Sequence, residues 1–496
     1  MVQLQTPIRR RRGATGAGRL IYDMLRAQMA DGTLSPGTPV ASTRGLAAEM
    51  AVSRTTVTAA YEQLAAEGYL VTSTGRVATV AKPRMEPESS ELPAKRRTST
   101  EPVLSTFGHR LQNMGMPALP QSDPARFDFL YGAVAYRDFP TRAWRRTYQS
   151  ELLRMQQRLY YAAPEGEASL RTTLQGYLRR ARGLVCEAEQ ILVVHGSQQA
   201  IDLCARVLLD ADDAFVFEDP GYLMARHCFE ATGARCLPTT VDAHGLDTSS
   251  LPHGEHVRLV YVTPSHQFPL GGVLPITRRQ ELLQWARCHN AWIVEDDYDG
   301  EFRYGQRPID ALQAMDSDGR VIYVGTFSKA LSPQLRLGYL VLPPELVAVF
   351  RQAKRLTDRH APVLEQRVLA SLIESGTYER HVRRMRRENE RRRAALLDAV
   401  ARYLPKDAQV GGTAAGLHVV LWLPFLHAQD EPILVAIARE AGVGIYPVST
   451  LFARPASTIQ HQPAGFILGY ASLTVEQIKQ GIHILSGLIS AWSKTT

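Results

Sequence analysis

The chain has 496 residues, of which 45% are hydrophobic, and a formal net charge of +8 at pH 7. This length is enough for two or three domains with cores of their own, and no apolar run approaches the roughly 20 residues that cross a bilayer, so we expect a cytoplasmic protein rather than a secreted or membrane-inserted one. The 5 cysteines form no CxxC pair, which argues against a disulfide framework and against a metal site.

The first 84 residues combine excess positive charge with a pattern of short helices. They contain 11 lysines and arginines against 5 acidic residues. After a first apolar helical pattern, the stretch "STRGLAAEMAVSRTTVTAAYEQLAAEGYL" reads as two helices separated by a tight turn. Leu46 and Met50 would bury one face of the first of these helices, and Val57 and Leu64 would bury one face of the second. This spacing predicts a helix-turn-helix.

The second of these helices presents side chains that suit DNA. Ser53 is a good N-cap, and Arg54, Thr55 and Thr56 then project from the first turn, where guanidinium and hydroxyl groups can meet base edges and phosphates. The following "GYLVTSTGRVATVA" reads as two short strands around a turn that carries Arg76. A helix-turn-helix followed by a hairpin is a winged helix. The alternative, a helical hairpin that serves only dimer contacts, agrees less well with the cap and the basic positions.

Residues 15 to 82 resemble the DNA-binding domain of the GntR family of bacterial transcription regulators. The matching motifs are the "PG" turn at residues 36 and 37, "STRGLA", "VSRTTVTAAYEQLAAEGYL" and the glycine-bearing wing. The wing departs from the frequent family pattern "GSGTFV", since it reads "STGRVATV". The resemblance implies that five residues meet double-stranded operator DNA: Arg44, Arg54, Thr55, Thr56 and, in the wing, Arg76.

From about residue 81 the composition changes to proline, serine and mixed charge, which predicts a linker. We therefore expect a winged helix at residues 1–84, a linker at 85–122 and a second domain at 123–496, with a smaller subdomain at roughly 345–496. In the second domain apolar strands alternate with helical runs. This alternation predicts an α/β fold with a mostly parallel sheet.

Ligands of such sheets bind beyond the carboxyl ends of the strands, and polar residues follow several of the predicted strands. "VVHGSQQ" places Gly196, Ser197 and Gln198 at the start of a helix, where backbone N–H groups favour a phosphate. "AWIVEDDYDGEF" ends a buried strand with Asp296, and Tyr298 follows two residues later. A carboxylate at that depth needs a partner, and a protonated ring nitrogen would serve.

Two further strand ends complete a site that we interpret as one for pyridoxal 5'-phosphate (PLP). Lys329, in "GTFSKALSPQLRLG", would form a Schiff base with the aldehyde of PLP, and Tyr222, in "EDPGY", would stack on its ring. Asp296 would keep the ring nitrogen protonated, and Tyr298 would donate to the phenolic oxygen. The residues expected around the phosphate and the Schiff base are Gly196, Ser197, Gln198, Thr326, Ser328 and Arg336. Each residue taken alone also has a structural explanation, such as a helix cap, a core aromatic or a surface charge.

The second domain resembles fold-type I aminotransferases over residues 125 to 496, and the whole chain resembles the MocR/GabR subfamily of GntR regulators. The motifs that carry the resemblance are "YYAAPEGEASLRTTLQGYL", "TPSHQFPLGG", "EDDYDGEFRY" and "VGTFSKALSPQLRLGYL". It implies an N-terminal winged helix joined to an aminotransferase-like α/β domain with a smaller α+β subdomain. It also implies a homodimer, in which Tyr161 would reach the partner's cofactor site, and control of transcription by the occupancy of that site.

Two positions depart from aminotransferases that bind amino acids. Where the family commonly has an arginine for the substrate α-carboxylate, the strand "GFILGYASLT" has Ile467. Two residues after the stacking tyrosine, where GABA-responsive relatives have another arginine, the chain has Met224. An unpaired carboxylate in the site would cost on the order of 2 to 4 kcal/mol. These departures favour a regulator over an enzyme, and a PLP-dependent aminotransferase acting on an amine or amino acid stays the alternative.

The sequence leaves two classes of effector ligand. The protein would sense PLP itself and control vitamin B6 metabolism, or it would bind an amine or amino acid through other residues, for which the candidates are His195, Arg226, His266, Gln267 and Arg454.

A basic run at residues 379 to 400, "ERHVRRMRRENERRRAALLDAV", predicts a long amphipathic helix. Its apolar positions would be Val382, Met385, Ala394, Leu397 and Val400, with the arginines on the solvated side. We expect an exposed helix face rather than a second DNA contact.

Overall fold

The computed structural model describes residues 16–73, 75–82, 103–116, 125–154, 160–305, 309–453 and 456–492. The chain divides into two compact units, Met1–Pro102 and Val103–Thr496, and each has a hydrophobic core of its own. Within the described ranges, no helix combines the length and the apolar character that a membrane span requires.

The first unit is a winged helix. Its elements are α1 (Ala17–Ala30), α2 (Thr43–Glu49), α3 (Arg54–Ala66), β1 (Leu70–Val71) and β2 (Thr79–Val80). The predicted N-cap of α3 is confirmed, because the Ser53 hydroxyl accepts a hydrogen bond from the Thr56 backbone N–H at 3.1 Å. The predicted hairpin is also confirmed, with Leu70 opposite Val80 in antiparallel pairing. Apolar residues of all three helices close the core: Ile21, Leu25, Leu46, Val57 and Leu64.

The second unit begins with a helix inside the stretch that the sequence predicted to be a linker. This helix, α4 (Thr106–Asn113), has no buried residue. Arg110 connects it to the next part of the unit by donating to the backbone carbonyls of Ala231 at 2.8 Å and Thr232 at 2.9 Å. A composition rich in proline and serine therefore concealed a short helix with a specific contact.

An eight-stranded sheet forms the centre of the second unit, in the order β4-β11-β10-β9-β8-β5-β6-β7. Six of its strands run parallel to one another, and β11 and β7 run antiparallel to their neighbours. In chain order the elements from β3 to β11 are β3 (Phe127–Asp128), α5 (Thr141–Leu152), α6 (Ala168–Arg182), β4 (Ile191–Val194), α7 (Ser197–Leu208), β5 (Ala214–Asp219), α8 (Leu223–Thr232), β6 (Arg235–Asp242), β7 (Gly245–Leu246), β8 (Val257–Val262), α9 (Ile276–His289), β9 (Trp292–Asp297), β10 (Val321–Thr326) and β11 (Gly338–Val341). The mostly parallel α/β fold expected from the alternating pattern is confirmed.

A smaller antiparallel sheet, in the order β12-β13-β16-β15, follows with its helices. The elements are α10 (Val347–Asp358), α11 (Val363–Glu374), α12 (Thr377–Tyr403), β12 (Gln409–Gly411), β13 (His418–His427), α13 (Glu431–Glu440), β14 (Val443–Gly444), β15 (Tyr446–Pro447), α14 (Ala456–Ile459), β16 (Pro463–Gly469) and α15 (Val475–Trp492). The core beneath this sheet also includes Phe127 and Phe129, since β3 pairs in parallel with β14. Residues far apart in the chain therefore share one core.

The long helix α12 contributes to two cores. Val382 and Met385 pack in the core beside the large sheet, and Leu396 and Val400 pack beneath the small sheet. Part of the prediction for this helix was wrong: Ala394 is exposed, Leu397 is half-buried, and Arg392 is only 1% exposed. The buried face continues through Asn389 and Arg392, and these polar residues interrupted the apolar pattern on which the prediction depended.

Candidate functional site

The predicted site residues follow parallel strands whose carboxyl ends meet at one edge of the large sheet. In the ladder, Asp296 of β9 lies opposite Val324 of β10, and Gly338 of β11 lies opposite both Thr326 of β10 and Val194 of β4. The loops that follow β4, β9 and β10 therefore start side by side. This geometry brings together the segments that carry the lysine, the aspartate and the glycine-led helix.

Lys329 lies in the loop after β10 and is half-buried. Nζ donates a hydrogen bond to the backbone carbonyl of Gly132 at 3.1 Å. Burial lowers the pKa of the lysine, and attraction to the carboxylates of Asp299 and Asp296 offsets only part of this effect. A lowered pKa increases the fraction of uncharged amine near neutral pH, which is the nucleophilic form.

Asp296 is 4% exposed and has one oxygen in use and one free. Oδ2 accepts a hydrogen bond from the Tyr261 hydroxyl at 2.6 Å, whereas Oδ1 is buried and has no hydrogen-bond partner in the described part of the chain. Burial raises the pKa of this carboxyl to about 7, although the bond from Tyr261 opposes the shift. A cationic donor at Oδ1 would restore the ionised form.

Tyr298 is half-buried, and its hydroxyl lies 2.9 Å from Nδ1 of His266. The same nitrogen lies 2.9 Å from Oδ2 of Asp299. Burial raises the pKa of the Tyr298 phenol well above its ordinary value, so the side chain stays a neutral hydroxyl that can donate one hydrogen bond.

The start of α7 offers an open position for an anion. Gly196 precedes the helix with φ of 77°, and as a glycine at the N-cap it offers no side chain to the first backbone N–H groups. The guanidinium of Arg336 lies over this turn and donates to the carbonyl of His195 at 2.7 Å. A Cβ at Gly196 would lie 3.1 Å from Nη1 of Arg336, so a larger residue would crowd the guanidinium. N–H groups, helix dipole and guanidinium together suit a phosphate.

The remaining residues predicted for this ligand lie close to the same turn. Gln198, in the first turn of α7, accepts a hydrogen bond from the Tyr222 hydroxyl at 3.3 Å. Thr326, at the end of β10, donates to the Ser328 hydroxyl at 3.0 Å. Ser197 opens α7 directly after Gly196. Gln198 and Tyr222 form one hydrogen-bonded pair, and Thr326 and Ser328 form another.

Tyr161 is 68% exposed in the single chain. The guanidinium of Arg359 stacks over its ring at 4.7 Å from the centroid, and the ring of His360 lies 6.0 Å away. The expected contact of Tyr161 with a partner's cofactor site stays a prediction.

The positions that lack carboxylate-binding arginines lie in or beside an apolar cluster. Ile467 is 0% exposed and packs with Phe268, Val420 and Leu451, and Tyr222 and Tyr298 pack against the same cluster. Met224 is half-buried in α8, where its carbonyl lies 3.4 Å from the Gln198 amide nitrogen.

The polar residues that the sequence offers for an effector have different environments in the structure. Gln267 is 0% exposed, and its amide is used by backbone groups of its own loop and by Glu218. His195 pairs with Asp358 at 3.1 Å, and Arg226 lies 3.7 Å from Glu230. Arg454 lies outside the described residues. Of the described members of this group, His266 contacts a predicted cofactor residue through its side chain, and His195 does so through its backbone carbonyl, which accepts from Arg336.

Sequence reasoning missed three groups that complete the site. Tyr261 orients Asp296, Gly132 supplies the acceptor for Lys329, and Asp299 lies at the imidazole of His266. The alternation along β8 could have identified Tyr261, because it lies on a strand adjacent to β9. A backbone carbonyl at Gly132 leaves no comparable signal in the sequence.

In the winged helix, four predicted DNA contacts are exposed: Arg44, Arg54, Thr55 and Arg76. Thr56 is half-buried, and its hydroxyl lies 2.7 Å from the Ser53 hydroxyl. The Thr56 hydroxyl, which was predicted to contact DNA, therefore also bonds the Ser53 hydroxyl that caps α3. The three arginines are exposed at the surface.

These residues fit PLP by a test that is independent of homology. The free oxygen of Asp296 can accept from a cationic donor, the start of α7 beside Arg336 suits an anion, and Lys329 supplies an amine of lowered pKa. A protonated pyridine, a phosphate and an aldehyde meet these three requirements.

Comparison with known proteins supports both parts of the architecture. The profile of the family "Aminotransferase class I and II" matches residues 131–483, and that of "Bacterial regulatory proteins, gntR family" matches residues 18–80.

Similar proteins include regulators and an enzyme of known structure. The probable rhizopine catabolism regulatory protein MocR of Rhizobium meliloti is 35% identical, over 94% of this chain and 92% of its own. The HTH-type pyridoxine biosynthesis transcriptional regulator PdxR of Corynebacterium glutamicum is 31% identical, over 86% of this chain and 87% of its own. Alpha-aminoadipate aminotransferase LysN of Thermus thermophilus, solved as a complex with N-(5'-phosphopyridoxyl)-L-leucine, is 30% identical with a TM-score of 0.67, over 75% of this chain and 93% of its own.

Proposed function

The chain belongs to the MocR-type group of the gntR family of bacterial regulatory proteins, in which a winged helix is joined to a class I and II aminotransferase domain, and we propose that it regulates transcription in response to PLP. It is a transcriptional regulator with an aminotransferase-like domain. The proposed signal is PLP, which, when bound to this domain, would change how the winged helix binds operator DNA.

PLP is the cofactor of the aminotransferase-like domain. When bound, it supplies an aldehyde that condenses with a primary amine and a ring that withdraws electrons. We assign the condensing amine to Lys329, whose pKa is lowered by burial. Oδ1 of Asp296 would accept from the ring nitrogen, and the Tyr298 hydroxyl would donate to the phenolic oxygen.

The phosphate would lie at the start of α7. Backbone N–H groups at this turn donate without reorganisation, and Arg336 adds a fixed fork of donors. Tyr222 would cover one face of the ring. The residues that we assign to the phosphate and its surroundings are Gly196, Ser197, Gln198, Thr326, Ser328 and Arg336.

One observation supports PLP itself as the signal rather than an amino acid. Groups for each part of PLP are present, whereas the position of the usual carboxylate anchor is occupied by Ile467, which is 0% exposed among apolar and aromatic side chains. A carboxylate brought to this cluster would lose hydration without gaining a guanidinium. The similar regulator PdxR is named for pyridoxine biosynthesis, which agrees with control of vitamin B6 metabolism.

On the DNA side we propose that a homodimer places two winged helices on an operator. Arg54 and Thr55 would contact the major groove from the first turn of α3, with Thr56 beside them, Arg44 would contact phosphate, and Arg76 would extend the contact from the wing. Tyr161 of each chain would approach the cofactor site of the other, and its 68% exposure in the single chain leaves the ring accessible.

The test is the affinity of the full-length protein for DNA from upstream of its own gene, measured by fluorescence anisotropy with and without PLP. We expect PLP to change the Kd by 5-fold or more, since coupling between sites typically amounts to about 1–3 kcal/mol. Pyridoxal, which lacks the phosphate, serves as the ligand control. Lys329→Ala serves as the protein control and is expected to lose both the visible absorbance and the PLP response.

Unchanged DNA affinity in a wild-type protein whose visible absorbance shows saturation with PLP would disprove PLP sensing. The alternative function, PLP-dependent transamination, is favoured by the retained lysine and aspartate. It predicts that PLP-loaded protein converts an amine and a keto acid repeatedly at rates typical of enzymes, which stopped-flow absorbance measures.

A further inference from the structure

The imidazole of His266 lies between two groups that both require its Nδ1. This nitrogen is 2.9 Å from the Tyr298 hydroxyl and 2.9 Å from Oδ2 of Asp299. The side chains of His266 and Asp299 are 2% and 3% exposed. The other ring nitrogen, Nε2, is buried and finds no hydrogen-bond partner in the described ranges.

A single ring nitrogen cannot accept from a phenol and donate to a carboxylate at the same time. In one arrangement the Tyr298 hydroxyl donates to Nδ1, and the proton of the neutral imidazole lies on Nε2. In the other arrangement Nδ1–H donates to Asp299, and the Tyr298 hydroxyl is free to donate elsewhere. One proton moves between the ring nitrogens, so the net charge is the same in both.

The ring of His266 is held in place by glycines on two sides. A side chain at Gly416 would overlap the imidazole, and a Cβ at Gly271 would lie 3.1 Å from Nε2. Other titratable or charged groups also face this region. These are His418, with its ring 5.3 Å away, Lys329 and Asp296 in the site, and Arg182 and Arg303 in the lining of the adjacent cavity.

We propose that His266, oriented by Asp299, is a positioning residue that controls where the Tyr298 hydroxyl points. In the absence of cofactor the hydroxyl donates to Nδ1. With PLP bound, the hydroxyl donates to the phenolic oxygen and Nδ1–H donates to Asp299, so the buried carboxylate gains a donor. This inference rests on the proposed function, because it requires PLP beside Tyr298.

The proposal is tested on PLP-loaded protein through the pH midpoint of its visible absorbance. Without His266, the Tyr298 hydroxyl would donate to Asp299 instead of the phenolic oxygen. The ionised oxygen of the chromophore would then lose one charge-assisted donor, and we expect the midpoint in His266→Phe to rise by about one pH unit, a tenfold change in proton affinity. Tyr298→Phe should raise it by a similar amount, and the double variant should not exceed Tyr298→Phe alone.

Two variants serve as controls for a general disturbance of the site. His266→Asn offers an amide N–H in place of Nδ1–H and should restore the wild-type midpoint. His418→Asn alters the neighbouring imidazole, which bonds the Pro269 carbonyl at 3.0 Å, and should leave the midpoint unchanged. Should His266→Phe fail to fold, ¹⁵N-histidine spectra of the wild type supply the readout, because PLP is expected to move the ring proton of His266 from Nε2 to Nδ1.

The two hypotheses fail in different ways. A wild-type protein that shows no visible absorbance with PLP would contradict the proposed function. A normal wild-type absorbance together with an unshifted midpoint in His266→Phe, or with shifts of His266→Phe and Tyr298→Phe that add, would overturn the role of His266. Ring-nitrogen signals that do not change on PLP binding would overturn it as well.

Discussion

Among the described residues, Arg110 makes the hydrogen bonds that join α4 to the aminotransferase-like domain, and we expect Arg110→Ala to release the helix. Phe107 and Leu111 of this helix are 41% and 44% exposed, so apolar burial contributes little to its docking. An isolated helix of eight residues is unstable in water. The specific contact that the described residues show is the pair of hydrogen bonds from Arg110 to the last carbonyls of α8.

The free energy with which Arg110 holds α4 in place follows from the geometry of its two hydrogen bonds. Two charge-assisted hydrogen bonds of 2.8 and 2.9 Å to the carboxyl end of a helix, partly exposed to water, contribute about 2 kcal/mol in total. Gly233, which ends α8 at φ of 99°, leaves room for the guanidinium, since a Cβ there would lie 3.1 Å from Nη1 of Arg110. Loss of about 2 kcal/mol should increase the opening of α4 roughly 30-fold.

Hydrogen exchange of peptides that cover residues 106–113 measures this opening directly. Arg235→Ala is the matched control, because it removes an exposed arginine that pairs with Glu255 and does not contact α4. Since Tyr222, the N-cap residue of α8, belongs to the proposed cofactor site, we also expect Arg110→Ala to bind PLP and DNA while PLP changes its DNA affinity less than in wild type. Unchanged exchange in α4 would refute the reasoning.

Three further substitutions test the site, the core and the DNA surface. Asp296→Asn should flatten the pH dependence of the Tm of the cofactor-free protein between about pH 4 and 7. Burial raises the folded-state pKa of Asp296 to about 7, so the protonated carboxyl stabilises the fold fully below about pH 4, and this contribution is lost as the pH rises to about 7. Ile467→Ala should cost about 3 kcal/mol in urea unfolding, and a loss below about 1 kcal/mol would mean that the side chain is not packed as described. Arg54→Ala should weaken operator binding by about 1–3 kcal/mol without lowering the Tm, with Arg19→Ala as the control, and unchanged affinity would show that α3 does not read the DNA.

Much of the candidate site could be predicted because its residues are distinctive where they stand. A lysine after a buried strand, an aspartate at the end of another and a glycine before a helix are unusual enough to indicate chemistry without a contact map. The same holds for the Ser53 cap, since a capping hydroxyl and the N–H that it accepts from lie three residues apart.

Other features could not be predicted because their sequence signals were weak or misleading. The helix α4 lies in a segment whose composition indicated a linker, and its contact depends on carbonyls of residues 231 and 232. In α12 the buried guanidinium of Arg392 bonds Asp138 at 2.7 Å, and a periodicity of apolar residues cannot reveal a buried arginine.

The sequence by itself determined the local units: two domains, the order of helices and strands, the winged helix, and the kinds of residue at the strand ends. Only the tertiary structure decided which distant groups meet. Lys329 bonds a carbonyl 197 residues away, and Asp296 receives its hydrogen bond from a tyrosine 35 residues away. The physical reason is that caps, turns and periodic burial act over a few residues, whereas the orientation and charge of a buried polar group are set by whichever partner the packed fold brings within about 3 Å.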